Sequence, residues 1–87
     1  MDPEELLASR GRVRILRVLF NYGTINITRL VRETRLHYKL VEKHLEILKR
    51  EGIIFERRYG RMRLIEVNLR DPRVAALREI LRSLEML

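Results

Sequence analysis

The sequence contains no cysteine, which excludes disulfide bonds, thiolate metal sites and cysteine nucleophiles. It also contains no glutamine, and this scarcity of thermolabile side chains beside many arginines and glutamates favours a thermophilic source. No apolar run approaches the roughly 20 residues of a membrane span, and the opening segment MDPEELLAS is acidic where a signal peptide is basic. We therefore expect a soluble cytoplasmic protein with no membrane partner.

Residue groups that carry catalysis or bind metal are also absent. The four glycines each stand alone, so there is no phosphate-binding glycine loop, and no Ser/His/Asp grouping or convergent carboxylate pair is visible. His37 and His44 lie about two helical turns apart, too far to chelate one ion without a third ligand. We expect no enzymatic activity, no catalytic residue, no metal site and no cofactor.

A strong positive charge is the main feature of what is present. The 87 residues carry 19 lysines and arginines against 12 acids, a net charge of +7, and all but three of the cations are arginine. Such a balance favours an anionic partner, either nucleic acid or an acidic membrane surface. A chain this short fits one small domain whose core supplies little stability alone, so dimerisation would add to it.

Periodicity and capping residues predict the helices of the first half. The dipeptide DP near the start suits an N-cap and a first helical position, which allows a short helix within residues 1–8. A firm helix follows in RVRILRVLFNYG and ends near Gly23, and a second one, about two turns long, begins after the N-cap residue Asn26. A break at residues 34–37 precedes a third helix, YKLVEKHLEILKR, which ends before Gly52.

The second half of the chain predicts a hairpin and a last helix. The runs IIFERR and MRLIEVN have alternating character, and YG between them predicts a two-stranded hairpin with Gly60 at positive φ. Asp71 and Pro72 then suit the N-cap and the first position of a final helix, DPRVAALREILRSLEML.

This order of helix, helix, tight turn, helix, hairpin and helix is that of a winged helix-turn-helix. The stretch NITRLVRETRLHYKLVEKHLEILKREGII resembles the DNA-binding core of ArsR-type and related archaeal winged-helix regulators. The pattern of those families, apolar-x-x-His-Leu-x-x-Leu-x-x-x-Gly, is filled in register by Val41, His44, Leu45, Leu48 and Gly52. The resemblance implies a mainly α fold with a small β-hairpin wing, an archaeal source and a structural role for His44.

The resemblance divides the chain into an N-terminal segment at residues 1–8, a winged helix-turn-helix domain at 9–69 and a C-terminal dimerisation helix at 70–87. Two positions of the turn depart from the family pattern. Arg35 stands where glycine is usual, so it must adopt a strained positive φ or reshape the turn. His37 stands where a serine-like cap is usual, which predicts a poorer cap or a shifted start for the third helix.

The exposed start of helix 38–50 is the predicted DNA reader, since the N-terminal residues of such a helix reach base edges in the major groove. Lys39 and Lys43 can donate to guanine or to phosphate, and Tyr38 can stack on a sugar or donate its hydroxyl. Glu42, where the family commonly has a small polar residue, can accept from cytosine or repel a phosphate. The alternative for all of them is a solvated polar face.

The start of the second helix and the hairpin tip complete the predicted DNA surface. Asn26 and Thr28 suit a phosphate, although capping alone would explain Asn26. The tip concentrates arginines where a merely solubilising turn would mix signs, and only Glu56 interrupts the run. Arginine enters a narrow minor groove more readily than lysine because it is more weakly hydrated, and Tyr59 can pack against the sugar-phosphate edge. The residues predicted to contact DNA are Asn26, Thr28, His37, Tyr38, Lys39, Glu42, Lys43, Arg57, Arg58, Tyr59, Arg61 and Arg63.

The last helix carries the dimerisation prediction. Its roughly 16 residues would form a rod of about 24 Å with more apolar surface than the small domain can cover. In the related regulators such helices build a two-fold dimer, whose symmetry would set two reading helices about 34 Å apart on one face of DNA. The alternative is that the helix folds back onto its own core. The predicted dimerisation residues are Val74, Leu77, Ile80, Leu81, Leu84 and Leu87.

These features predict a homodimeric transcriptional regulator that binds double-stranded DNA sequence-specifically, with helix 38–50 in the major groove and the wing 57–63 at the minor groove. A nucleoid-associated location in the cytoplasm follows, and no small-molecule ligand is evident. Two alternatives stay open: a chromatin or RNA-binding protein without sequence specificity, and a winged-helix protein-interaction module of a transcription or repair assembly. Activation and repression are not distinguished.

Overall fold

The computed structural model describes residues 2–87, which form five helices and three strands. In chain order they are α1 (Pro3–Leu7), α2 (Arg10–Tyr22), β1 (Thr24–Asn26), α3 (Ile27–Thr34), α4 (Tyr38–Arg50), β2 (Ile54–Tyr59), β3 (Met62–Val67) and α5 (Pro72–Ser83). The predicted fold class, mainly α with a small hairpin wing, is confirmed.

One apolar core joins α2, α3, α4 and the sheet, because each helix turns a single stripe inward. The buried side chains of the three helices are Ile15, Leu16, Leu19, Ile27, Leu30, Val41, Leu45 and Leu48. Side-chain oxygens of Ser9 and Asn26 accept backbone N–H groups at the starts of α2 and α3, at 3.2 and 2.8 Å. These ends follow from local sequence, since such caps need only residues within the same turn.

The turn between α3 and α4 contains a residue in the left-handed conformation although that residue is not glycine. Arg35 adopts the left-handed conformation, with φ 58° and ψ 23°, which is one of the two outcomes predicted for this position. His37 caps α4, and its Nδ1 accepts the Lys39 N–H at 3.2 Å. The helix begins at Tyr38, so the start is not shifted, and an imidazole nitrogen serves as the cap in place of the usual hydroxyl.

His44 is buried in the contact between α4 and the start of α2. A methyl group in place of the Gly11 hydrogen would lie 2.7 Å from His44 Nε2, so glycine is what allows the two helices to approach here. Burial first, then the charges of Arg12 and Lys43, lowers the pKa of His44. The residue is 9% exposed and lies in the packed interior, in agreement with the structural role that the family resemblance implies.

The sheet has three antiparallel strands in the order β1-β3-β2. Strand β1 was not predicted, because three residues are too short to show alternation; Ile25 pairs with Ile65 and both are buried. Strands β2 and β3 form the predicted hairpin, in which Tyr59 pairs with Met62 and Gly60 in the turn has φ +61°. At the base of the wing, β3 therefore pairs with β1 on one side and with β2 on the other.

Helix α5 is shorter than predicted and folds partly onto its own chain. It ends at Ser83, and Glu85 has φ 57°, so the last residues are not helical. Contrary to the expectation that six apolar residues face a partner, Val74, Leu77 and Leu81 are buried in the core of this chain. The physical reason is that these three side chains join the same buried cluster as the apolar residues of α2, α3, α4 and the sheet. The exposed members of the set are Ile80, Leu84 and Leu87.

Candidate nucleic-acid interface

The first two turns of α4 present a row of polar side chains to solvent. Tyr38, Lys39 and Lys43 are exposed, while Val41 and Leu45 turn into the core and hold the helix in place. Neither lysine forms an ion pair with any of residues 2–87. Both ammonium groups are therefore available to an anion outside the chain.

The hairpin has two chemically different faces, which follow from its register. Glu56 pairs with Ile65 and Arg58 with Arg63, so these four side chains lie on one face, which packs towards α4. On the opposite face, exposed Phe55, Tyr59 and Met62 alternate with Arg57, Leu64 and Glu66. The alternation of the wing thus separates its arginines into two groups.

Arg63 is not part of a free cationic tip, which corrects the prediction that groups it with Arg61. Its side chain is 14% exposed and its guanidinium donates twice to Glu56, from Nε to Oε2 at 2.7 Å and from Nη2 to Oε1 at 2.9 Å. This bidentate geometry is the strong form of an arginine-carboxylate pair. One of the four arginines of the wing, Arg63, therefore stabilises the fold.

The same guanidinium also contacts the start of α4. Arg63 Nη1 lies 2.9 Å from Glu42 Oε1 and donates to the Tyr38 hydroxyl at 3.1 Å. Glu42 Oε1 is thereby paired within the chain although the side chain is still 31% exposed, and a contact of Glu42 with cytosine or phosphate stays a prediction. Strand β3 and the first two turns of α4 are in direct contact.

The Glu56 carboxylate contacts three cations on the face of the wing that packs towards α4. The Glu56 side chain is 8% exposed, and Lys49 Nζ and Arg58 Nε reach it at 3.1 and 3.2 Å, in addition to Arg63. The Arg63 hydrogen bonds, with help from Lys49, lower the pKa of Glu56 from its ordinary 4.5 to about 2, against the opposing effect of burial. Glu56 is therefore ionised at any pH near neutrality.

The remaining cations of the wing face solvent. Arg61 is exposed and forms no ion pair within residues 2–87. Arg57 and Arg58 are 59% and 68% exposed and each lies 3.2–3.3 Å from an acid, Glu66 or Glu56. Pairs this exposed contribute little stability, so both side chains can turn towards an outside anion at small cost.

The start of α3 contributes a cap and an exposed hydroxyl. Asn26 Oδ1 is used as the N-cap acceptor for the Arg29 N–H, which is the capping role that the sequence analysis kept as its alternative. Thr28 is exposed in the first turn of the helix. Asn26 and Thr28 were both predicted to contact phosphate. Among the described hydrogen bonds, the Asn26 side chain is engaged and the Thr28 side chain is not.

Two residues of this surface, Lys49 and Glu56, were not predicted as part of it. The signal for Glu56 was its position as the one acid inside the arginine run, and Lys49 lies two turns after Glu42 on α4.

Between residues 2 and 87, no three His, Cys, Asp or Glu side chains gather in a way that could hold a metal ion. In the same part of the chain, no helix is long and apolar enough to span a bilayer.

These elements define a winged helix-turn-helix. Its wing contacts α4, which is the third helix of the motif. No protein-family model and no curated protein sequence matches the chain. The antimony-specific transcriptional repressor AntR superposes with a TM-score of 0.79 at 25% identity, over 92% of this chain and 70% of that one. HlyU from Vibrio cholerae N16961 has the same TM-score at 22% identity, over 92% and 84% of the two chains. The transcriptional repressor BigR from Xylella fastidiosa also scores 0.79, at 18% identity over 92% and 79%.

These structural neighbours are ArsR-type winged-helix proteins, which confirms the likeness predicted from the sequence. AntR and BigR are transcriptional repressors. The shared feature is the fold, because identities of 18–25% do not carry individual site residues from one chain to another.

Proposed function

We propose that this chain is a DNA-binding transcriptional regulator that acts as a homodimer on double-stranded DNA. The observation that supports this most is the direct contact between β3 and the start of α4, which puts two sets of exposed cations on adjoining parts of the surface. One set is Lys39 and Lys43 on the helix, and the other is Arg58 and Arg61 on the wing, while Arg57 lies on the wing face turned away from α4. The repressor function of structural neighbours supports the same assignment.

The two sets suit the two grooves of a duplex. A helix fits the major groove, where Lys39 and Lys43 would donate to guanine O6 and N7 or to phosphate. Arg61 at the hairpin turn would enter or border the adjacent minor groove, whose negative potential attracts arginine. The Thr28 hydroxyl and the Tyr38 ring would contact the sugar-phosphate backbone, which sets the position of the helix without reading sequence.

A revised set of apolar residues is proposed for the dimer contact. Ile80 and Leu84 are 50% and 63% exposed at the end of α5, and exposed Leu7 lies with Met86 along one groove at the end of α1. A two-fold axis through this region would pair α5 with its copy and present two α4 helices to successive major grooves, about 34 Å apart. The expected site is then near-palindromic.

Selection from a random duplex library, followed by binding across a salt series, tests this function. We expect a preferred sequence, with two half-sites about one helical turn apart, bound well above random duplex. Steep salt dependence without preference would indicate the alternative of a chromatin or RNA-binding protein. Weak DNA binding at physiological salt would indicate the protein-interaction module instead.

Two substitutions separate the parts of the proposed interface. Arg61→Gln is expected to weaken binding to every sequence and to lower the slope of log affinity against log salt by about one, because it removes one phosphate or groove cation. Lys39→Ala is expected to change base preference at one position of the selected site, by about 1–3 kcal/mol. If neither substitution changes DNA binding, the assignment of the site is wrong.

A further inference from the structure

Every nitrogen of the Arg63 guanidinium is engaged within the chain. Nε and Nη2 donate to the two oxygens of Glu56, and Nη1 contacts both Glu42 and the Tyr38 hydroxyl, at distances of 2.7–3.1 Å. The side chain is 14% exposed, much less than Arg57 or Arg58 in the same hairpin. At most one N–H of Arg63, on Nη2, is left without an acceptor among these contacts, so the guanidinium is largely committed within the chain.

The sheet is tied to α4 at two separate points. Arg63 of β3 reaches Glu42 near the start of the helix, and Glu56 of β2 reaches Lys49 near its end at 3.1 Å. Seven residues separate Glu42 from Lys49, which is about 10 Å along a helix axis. In addition to the core packing of α4, two polar contacts this far apart constrain the inclination of the helix against the wing more than a single contact would.

We propose that this ion-pair cluster, Glu42, Arg63, Glu56 and Lys49, sets the angle between α4 and the wing, so that Arg63 is a positioning residue for DNA binding and not a DNA contact. The inference rests on the proposed function, since it explains how one rigid unit engages two grooves. The major and minor grooves of a duplex have a fixed spacing, and a helix and wing already held at that spacing lose less freedom on binding. Arginine is required because lysine cannot bridge three groups with a planar fork.

Arg63→Lys is the test that distinguishes position from charge. The variant keeps the positive charge but loses the bidentate pair and the bridge to Glu42, so we expect the affinity for the selected duplex to fall about tenfold with an unchanged salt slope. A hydroxyl-radical footprint, which reports the accessibility of the sugars, should lose the protection given by the wing, while protection of guanine N7 from dimethyl sulfate in the major groove persists. Arg82→Lys, at an exposed ion pair of α5 with Glu79, is the matched control and should bind like the wild type.

Glu42→Gln gives a second, independent test. Removing an acid near a DNA-binding surface ordinarily strengthens binding through charge alone. On the present inference the substitution releases the start of α4 from the wing, so the affinity for the selected duplex should fall and the wing footprint should weaken. Circular dichroism melts of each variant confirm that binding is measured well below the unfolding transition.

Several outcomes would overturn the inference. Arg63→Lys binding like the wild type would show that charge alone is needed, and a loss of about one in salt slope for Arg63→Gln, equal to that of Arg61→Gln, would make Arg63 a phosphate contact. Stronger binding by Glu42→Gln would show that its carboxylate acts only as a local negative charge. A wild-type chain that binds no duplex would instead remove the proposed function itself, and this inference with it.

Discussion

The Glu56 carboxylate is expected to make stability depend on pH in a defined window. Its pKa is lowered from 4.5 to about 2 in the folded chain, chiefly by the Arg63 hydrogen bonds. Because the folded value lies below the unfolded one, the stability it contributes is fully present above about pH 4.5 and is lost as the pH falls through about 2.

The magnitude follows from the same values. A difference between 4.5 and about 2 corresponds to an upper limit of roughly 3–4 kcal/mol at 1.36 kcal/mol per pKa unit. Solvent reaches the rim of the cluster, since Arg58 is 68% and Lys49 29% exposed, so we expect about 1–2 kcal/mol in practice. Glu56→Gln should therefore lower the free energy of unfolding by about that amount at pH 7.

Urea unfolding of the wild type and Glu56→Gln at several pH values between 7 and 2 measures this effect. The difference between the two proteins should shrink towards zero at the acid end, because a protonated glutamate resembles glutamine. Glu79→Gln is the control: its carboxylate is 65% exposed in a surface pair with Arg82, and its removal should cost less than about 0.5 kcal/mol. A difference for Glu56→Gln that is equal at pH 7 and pH 2 would refute the ion-pair account.

Two further predictions concern the dimer and the turn. Ile80→Glu should separate the dimer in sedimentation experiments and remove the concentration dependence of the melting temperature, because only the contribution of dimerisation is lost. Leu77→Ala, 4% exposed in the wild type, should instead cost about 2–4 kcal/mol of folding stability at any protein concentration. A dimer unaffected by Ile80→Glu would remove α5 from the proposed contact. Arg35→Gly should raise the free energy of unfolding by about 0.5–1 kcal/mol in urea melts, since it relieves a positive φ of 58°; destabilisation would show that the arginine side chain matters more than the strain.

The parts of this structure that were predictable depend on local interactions. The cap at Asn26, the positive φ at Gly60 and the helical period of α4 each need only residues a few positions apart, so their effects are readable in the sequence. At Arg35 the sequence left two outcomes open, a positive φ or a reshaped turn, and the structure shows the first.

The parts that were not predictable depend on which surface a residue meets. The stripe of Val74, Leu77 and Leu81 has the period of a dimerisation helix, but a period does not say whether the apolar surface opposite belongs to the same chain or to a partner. The helix also stops at Ser83 although its apolar pattern continues, because Glu85 turns the chain so that Met86 can pack on the core.

The sequence by itself determined the class of fold, the excess of arginine and the places where helices begin and turn, since all three arise from composition and short-range backbone chemistry. Only the tertiary structure decided that Arg61 faces solvent while Arg63, two residues later, lies against Glu56, Glu42 and Tyr38. The reason is that strand pairing brings residues 56, 58 and 63 onto one face, and helix packing then brings α4 against it. Two arginines of one run thereby acquire different surroundings, and different roles in the function proposed for this chain.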